Sequence, residues 1–365
     1  MKIFKGAESL LREITSCFWK IFLRRLSWAE SPEGFLRQDP RQVLVLRVDR
    51  IGDLIVSTPF FRAFRRRYPH ARVVALVSSM NAVVLERSPD LDEVWVFSWR
   101  NLGKILWRLW RCRFDLVVDL NPAYSLTSGL LARFSRSGVR VSYRCRDDRY
   151  FYNFVIDPGG EKEHMLEKLE RMARALGLER LENRYRVYPS VGQEREAQSK
   201  LAELGWRQEE LWIGIHPGNV KKFDNRWPER KFSELADRII LETGAKLLFI
   251  QGPGEEFLIR NIMEWMTHKG SRVLEPLPLL TTAAVLSRLK LLICNSTSLL
   301  HLAAAMGTPT LCLSSQFNYY WRPLGPQHSI VMDTAWNSCR AIPAGEVFTV
   351  VKSLLSKNLM VSRTI

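Results

Sequence analysis

No Cys-x-x-Cys pair occurs anywhere in the 365 residues, although the chain has six cysteines, Cys17, Cys112, Cys145, Cys294, Cys312 and Cys339. Their scatter argues against a structural zinc site and for reduced, buried thiols of a cytoplasmic protein. No apolar run approaches the roughly 20 residues needed to cross a bilayer. A secretory leader is not expected, because Glu8 and Glu13 interrupt the start and no small-residue cleavage site follows. Internal repeats and low-complexity tracts are absent. Acidic residues are scarce, 38 Asp and Glu against 54 Lys and Arg, for a net charge of +16. A partner of opposite charge is therefore expected: nucleic acid, an anionic membrane surface or a phosphate-bearing substrate.

What remains is globular. The chain is 46% hydrophobic and 25% charged, long enough for two domains with their own cores, and unlike disordered, collagenous or coiled-coil chains. The excess charge is uneven. Residues 1–150 hold 27 basic and 15 acidic side chains, and the rest holds 27 and 23.

Residues 9–28 place Leu10, Leu11, Ile14, Phe18, Ile21, Phe22 and Trp28 at helical spacing, with Arg12, Lys20 and Arg24 on the other side. This segment reads either as an in-plane helix on an anionic membrane or as a helix packed on protein, and a hydrophobic stripe does not choose between them. Ser31-Pro32-Glu33-Gly34 ends it. From residue 41 onward, short apolar runs alternate with helical stretches, the pattern of parallel strands with crossover helices. Strands are expected at 43–48, 72–77, 94–97, 115–119 and 139–143, then at 211–216, 246–250, 291–294 and 310–313. Helices are expected at 59–67 and 103–111. The fold class is α/β, two doubly wound Rossmann-like domains at 41–190 and 206–345 facing a cleft. Residues 191–205 form a linker helix and 346–365 a terminal helix and tail. Ligands are expected at the carboxyl ends of the strands.

Four segments stand at such ends. Arg47-Val48-Asp49-Arg50-Ile51-Gly52-Asp53-Leu54 follows the first strand, where Gly52 permits a tight turn. Asp53 either takes a proton from a substrate hydroxyl or merely caps the next helix. Arg47 and Arg50 are the best placed of many arginines to touch an acceptor. Arg62, Arg65, Arg66, Arg67, Arg144, Arg146 and Arg149 read individually as a solvated face. His216-Pro217-Gly218-Asn219, with Lys221, Lys222 and Arg226 before Trp227-Pro228-Glu229, offers backbone N–H groups and cations to a phosphate. Gly252-Pro253-Gly254-Glu255-Glu256 offers an acid to ribose hydroxyls or to the helix dipole. Asn295-Ser296-Thr297-Ser298 opens a small-residue helix carrying His301, and its free N–H groups suit a diphosphate. The G-x-G-x-x-G dinucleotide fingerprint is absent, which speaks against a nicotinamide dehydrogenase. Asp90-Leu91-Asp92 has the letters of a metal-binding D-x-D but reads as a turn before a strand.

Together the R-x-D-R-I-G-D-L opening, H-P-G with R-W-P-E, G-P-G-E-E and N-S-T-S-L-L-H-L-A-A-A-M-G-T-P-T resemble glycosyltransferase family 9, the lipopolysaccharide heptosyltransferases. The resemblance covers residues 42–330. It implies a GT-B fold and inverting, metal-independent sugar transfer without a cofactor, from a nucleotide-diphosphate sugar, expected to be ADP-linked, to a lipid-linked saccharide on the inner face of the cytoplasmic membrane. Asp53 is similar to the family's general base. Gly218, Asn219, Lys221, Lys222, Arg226, Glu255, Ser296, Thr297, Ser298 and His301 match its donor-binding positions, with Glu256 a neighbouring possibility. Arg47, Arg50 and Gly52 fall on the acceptor side. The family usually has Asp and Gly where this chain has Ser296 and Ser298, and Lys where it has Asn225. A non-catalytic binding protein on the same fold is the alternative. Nucleic acid is not expected as a partner, since no RRM, KH, zinc-finger or helix-turn-helix pattern occurs.

Overall fold

The computed structural model describes residues 39–145, 148–219, 226–333 and 338–361, apart from the side chains of 316–318 and 357–361. The amphipathic segment at 9–28, Arg146, Lys221, Lys222 and Asn225 lie outside the described residues.

Twelve strands build two six-stranded sheets. The first contains β1 (Gln42–Arg47), β2 (Arg72–Ser78), β3 (Glu93–Phe97), β4 (Leu116–Asp119), β5 (Val139–Tyr143) and β6 (Phe154–Ile156), in the order β3-β2-β1-β4-β5-β6. The second contains β7 (Trp212–His216), β8 (Lys246–Ile250), β9 (Arg272–Leu274), β10 (Leu291–Asn295), β11 (Thr310–Ser315) and β12 (His328–Asp333), in the order β12-β11-β10-β7-β8-β9. Every pairing is parallel. Each sheet thus has the doubly wound Rossmann order, with the direction of winding reversing beside β1 in one and beside β7 in the other. Central strands such as Trp212–His216 and Leu291–Asn295 are buried along their whole length, as a sheet covered on both faces demands.

Among the described residues, twelve α-helices accompany them: α1 (Ile51–Val56), α2 (Thr58–Arg67), α3 (Ala82–Leu85), α4 (Leu102–Cys112), α5 (Leu126–Phe134), α6 (Met165–Ala175), α7 (Val191–Glu203), α8 (Glu229–Thr243), α9 (Glu256–Trp265), α10 (Leu279–Leu286), α11 (Ser298–Ala305) and α12 (Ala344–Val361). The nine expected strands are present, and β6, β9 and β12 are additional. All three additional strands lie at or beside a sheet edge. Two have only three residues, and β12 has one fully buried position, so none carries a readable apolar run.

Contacts divide the described chain into two units. The first comprises residues 39–50, 60–82 and 89–181; the second comprises 51–59, 83–88 and 182–361. The helix α1 therefore belongs with the second unit although it follows β1 in sequence. Helix α7, read from sequence as a linker, packs on α10 inside the second unit, where Arg288 Nη2 donates to Glu194 at 2.7 Å and Thr281 Oγ1 to Glu196 at 2.8 Å. Its start is fixed by a reciprocal cap: Ser190 N donates to Gln193 Oε1 at 2.7 Å and Gln193 N to Ser190 Oγ at 3.1 Å. One core forms around Leu44, Leu46, Trp95 and Phe114, the other around Ile215, Trp227, Phe232 and Phe348.

Candidate functional site

In the second unit the ends of β7, β8 and β10 are tied to one another by side chains. Asn295, the last residue of β10, is fully buried. Its amide Nδ2 donates to the carbonyls of Pro217 at 2.8 Å and Gly218 at 3.1 Å, and its Oδ1 accepts from Trp227 N at 3.0 Å. One amide therefore pins both ends of the loop between β7 and α8, the loop expected to hold phosphate. The indole of Trp227 donates to Ile342 O at 2.9 Å, locking the far end into the core.

Glu255 fixes the other side. It is buried, and its Oε2 accepts from Gly252 N at 2.9 Å. A Cβ placed on Gly218 would stand 2.1 Å from Glu255 Oε1, so only glycine lets the β7 loop close on this carboxylate. His216 Nδ1 lies 2.9 Å from Ile250 O and 3.7 Å from Glu255 Oε2. The carboxylate expected to meet ribose is thus turned into the framework, while neighbouring Glu256 is exposed at the start of α9. Arg226 is nearly buried and ion-paired with Glu229 at 3.2 Å, which holds its charge at the head of α8.

Ser296, Thr297 and Ser298 are half-buried where β10 becomes α11. Thr297 occupies the cap position in extended conformation but makes no side-chain cap bond. Its buried Oγ1 has no hydrogen-bond partner. An unsatisfied hydroxyl thus stands at the start of α11, and the first N–H groups of a helix are the part of it suited to an anion.

Helix α1 packs on α11 within the same unit. A Cβ on Gly52 would come 2.9 Å from His301 Cδ2, so Gly52 sets how closely the two helices approach. The His301 ring is buried there and meets the Tyr185 ring edge-on, with centroids 6.3 Å apart. Tyr185 is held by its neighbour Arg186, whose N donates to Thr58 Oγ1 at 3.0 Å. His301 and Gly52 thus meet where the two helices pack, His301 buried and Gly52 half-buried. Asp53 lies in the first turn of α1, with Ser57 Oγ donating to its carbonyl at 2.8 Å. The helix expected to carry the base is therefore braced against the helix expected to carry the diphosphate.

The first unit has its own cluster at the ends of β1 and β4. Arg47 is fully buried, donates through Nη1 to Leu120 O at 2.6 Å and pairs with Asp49 at 3.3 Å. Its side chain is buried inside the unit, where these partners tie it to the ends of β1 and β4. Arg50 is exposed. Asp119 is fully buried and accepts from Tyr152 Oη at 2.5 Å and Asn121 N at 3.0 Å. Burial pushes its carboxyl up to about 6, against those hydrogen bonds and the Arg47 charge. Asp92 accepts from Val73 N at 2.7 Å and pairs with Arg65 at 2.6 Å, and Asp90 pairs with Arg62 at 4.0 Å. The D-x-D is therefore a structural turn. Among the described residues no group of three or more His, Cys, Asp or Glu could hold a metal ion. Of the described cysteines, Cys294, Cys312 and Cys339 are buried as expected, whereas Cys112 and Cys145 are only half-buried.

Asn295, Trp227, His216 and Tyr185 were not singled out from sequence. The first three stand inside the quoted motifs, His216 and Asn295 at strand ends and Trp227 just before α8, and that placement is the available signal. Tyr185 stands in no motif.

Comparison with known proteins agrees with this fold. Lipopolysaccharide heptosyltransferase 3 of Escherichia coli is 22% identical over 296 residues, covering 74% of this chain and 83% of that protein. The crystal structure of a family 9 glycosyltransferase from Veillonella parvula superposes with a TM-score of 0.79 at 19% identity, over 87% of this chain and 97% of that one. The structure of E. coli ADP-heptose lipopolysaccharide heptosyltransferase II does so with a TM-score of 0.71 at 19% identity, over 87% and 99%. The two Rossmann-ordered sheets are thus those of a GT-B glycosyltransferase. With residues 102–343 matching the family described as glycosyltransferase family 9 (heptosyltransferase), the chain belongs to that family and is a glycosyltransferase.

Proposed function

We propose that the protein moves a heptose or related sugar from an ADP-linked donor to a hydroxyl of a lipopolysaccharide-core acceptor, with inversion and without a metal. The observation that carries this reading is the convergence, in one unit, of the β7 loop, the Thr297–Ser298 helix start and the helix bearing Asp53. The Asp53 carboxylate takes the proton of the acceptor hydroxyl as its oxygen attacks the anomeric carbon. The bond from that carbon to the diphosphate oxygen breaks in the same displacement, so the configuration inverts. Charge on the departing diphosphate is met by the N–H groups of α11, the Thr297 and Ser298 hydroxyls, Arg226, Lys221 and Lys222. Asn219 and Ser296 complete the donor site, with Glu256 better exposed than Glu255 for a ribose. Family membership and the ADP-heptose named for the E. coli relative support the donor assignment. An anionic acceptor suits the basic first 150 residues, Arg50 among them, on the inner face of the cytoplasmic membrane. Among the described residues no helix is long and apolar enough to cross a membrane.

A thermal-shift screen of nucleoside diphosphates tests the donor side. ADP at a hundred times its dissociation constant should stabilise the protein by about 2.7 kcal/mol, with UDP, GDP and CDP well below it. Equal responses to all four would refute the ADP assignment, and transfer abolished by EDTA would refute the metal-free scheme.

A further inference from the structure

The first unit carries a second feature that sugar transfer does not use. Trp99, Trp107 and Trp110 are 73%, 55% and 57% exposed, although tryptophan ordinarily buries its large apolar surface. Trp107 and Trp110 belong to α4, and Trp99 to the turn before it. Along this helix Lys104, Trp107 and Arg111 follow at intervals of three and four residues, so they and Trp110 share one exposed stripe, opposite the buried Ile105 and Leu109.

The stripe is apolar and cationic together. No Asp or Glu occurs between Glu93 and Asp115, whereas Arg100, Lys104, Arg108, Arg111 and Arg113 do. The Arg111 guanidinium lies 5.2 Å from the Trp107 ring centre, and Arg136, at the end of α5, lies 5.3 Å from that of Trp110. Aromatic rings flanked by cations are the composition of a protein face seated in the headgroup layer, where the rings enter the acyl boundary and the cations meet phosphate. Trp99 and Arg100 also follow directly on the carboxyl end of β3, the edge at which a doubly wound sheet binds its ligands.

We propose that the α4 stripe of Trp107, Trp110, Lys104 and Arg111, with Trp99 beside it, docks the protein onto an anionic bilayer. A bilayer fits better than a protein partner because cations recur along the stripe with no acid among them, which is complementary to a continuous anionic surface. The surface is distinct from residues 9–28 and independent of donor and acceptor.

Flotation of the full chain with vesicles of phosphatidylglycerol and phosphatidylethanolamine, free of any glycan and with no donor added, tests it. Trp107→Ser/Trp110→Ser should lower vesicle partitioning at least tenfold. Lys104→Gln/Arg111→Gln should lower it by roughly fivefold for each cation removed, and phosphatidylcholine vesicles should bind weakly. Leu241→Ser/Trp265→Ser, which removes exposed apolar side chains of the second unit, should leave binding unchanged. All these positions are exposed, so an unchanged thermal midpoint confirms that each variant is folded. Residues 9–28 remain in every variant, so the loss belongs to α4. Full vesicle binding by the Trp107/Trp110 variant overturns the proposal, and the same result with loss of self-association on size exclusion would assign the stripe to a second protein copy instead. Because no sugar is transferred in the assay, failure here leaves the transfer reaction untouched.

Discussion

Asn295 ties the β7 loop together, because a single buried amide satisfies two of its carbonyls and one N–H. Asn295→Ala strands all three and should cost roughly 3 kcal/mol in urea unfolding, with weaker ADP binding as the loop loosens. Gly218→Ala drives a methyl into Glu255 and should destabilise by roughly 1–3 kcal/mol while lowering ADP affinity. Asp119 makes a pH prediction. Its folded-state value of about 6 lies above the ordinary 3.8, so the folded protein keeps a proton that the unfolded chain gives up. Stability from this group is present below about pH 4 and is lost as pH rises towards 6, by about 3 kcal/mol at most. Asp119→Asn keeps the shape and removes the titration. Its urea midpoint relative to wild type should climb between pH 4 and 6, and parallel profiles would contradict the buried-acid account. The motifs pointed to Gly218, Thr297 and Ser298 because strand ends and helix starts expose backbone N–H groups. They could not show that Glu255 turns inward or that Arg47 is consumed by Leu120 and Asp49, since those outcomes depend on tertiary neighbours.

At the scale of elements, the long central strands were legible and the margins were not. Val43 to Leu46 and Leu291 to Cys294 are apolar runs because both faces are covered. Phe154–Ile156 and Arg272–Leu274 are too short for any period, and pairing alone makes them strands. Helix α1 shows a different limit. Its sequence follows β1, yet Gly52 and His301 bind it to α11 in the other unit. No local pattern encodes that preference, because it arises from the absence of a side chain at one position. The start of α11 yields its own test. Thr297→Val removes a hydroxyl that satisfies nothing in the protein, so thermal stability should hold. If the hydroxyl serves the diphosphate, ADP affinity should fall about tenfold, the worth of one hydrogen bond to a charged group. Unchanged affinity would remove Thr297 from the donor site.

At the scale of the molecule, the net charge of +16 first admitted several polyanions. Family membership and two Rossmann-ordered sheets now make it the charge of a glycosyltransferase, with twelve of the sixteen excess charges in the first 150 residues and the motifs proposed to bind the donor in the second unit. We propose that Asp53 drives heptose transfer. Its most direct test is mass spectrometry of heptose-deficient lipopolysaccharide incubated with ADP-heptose and either wild type or Asp53→Asn, with ADP binding measured on both. Wild type should add one heptosyl residue, while Asp53→Asn should bind ADP as wild type does and transfer at least a hundredfold more slowly. Transfer by Asp53→Asn at the wild-type rate would contradict the account.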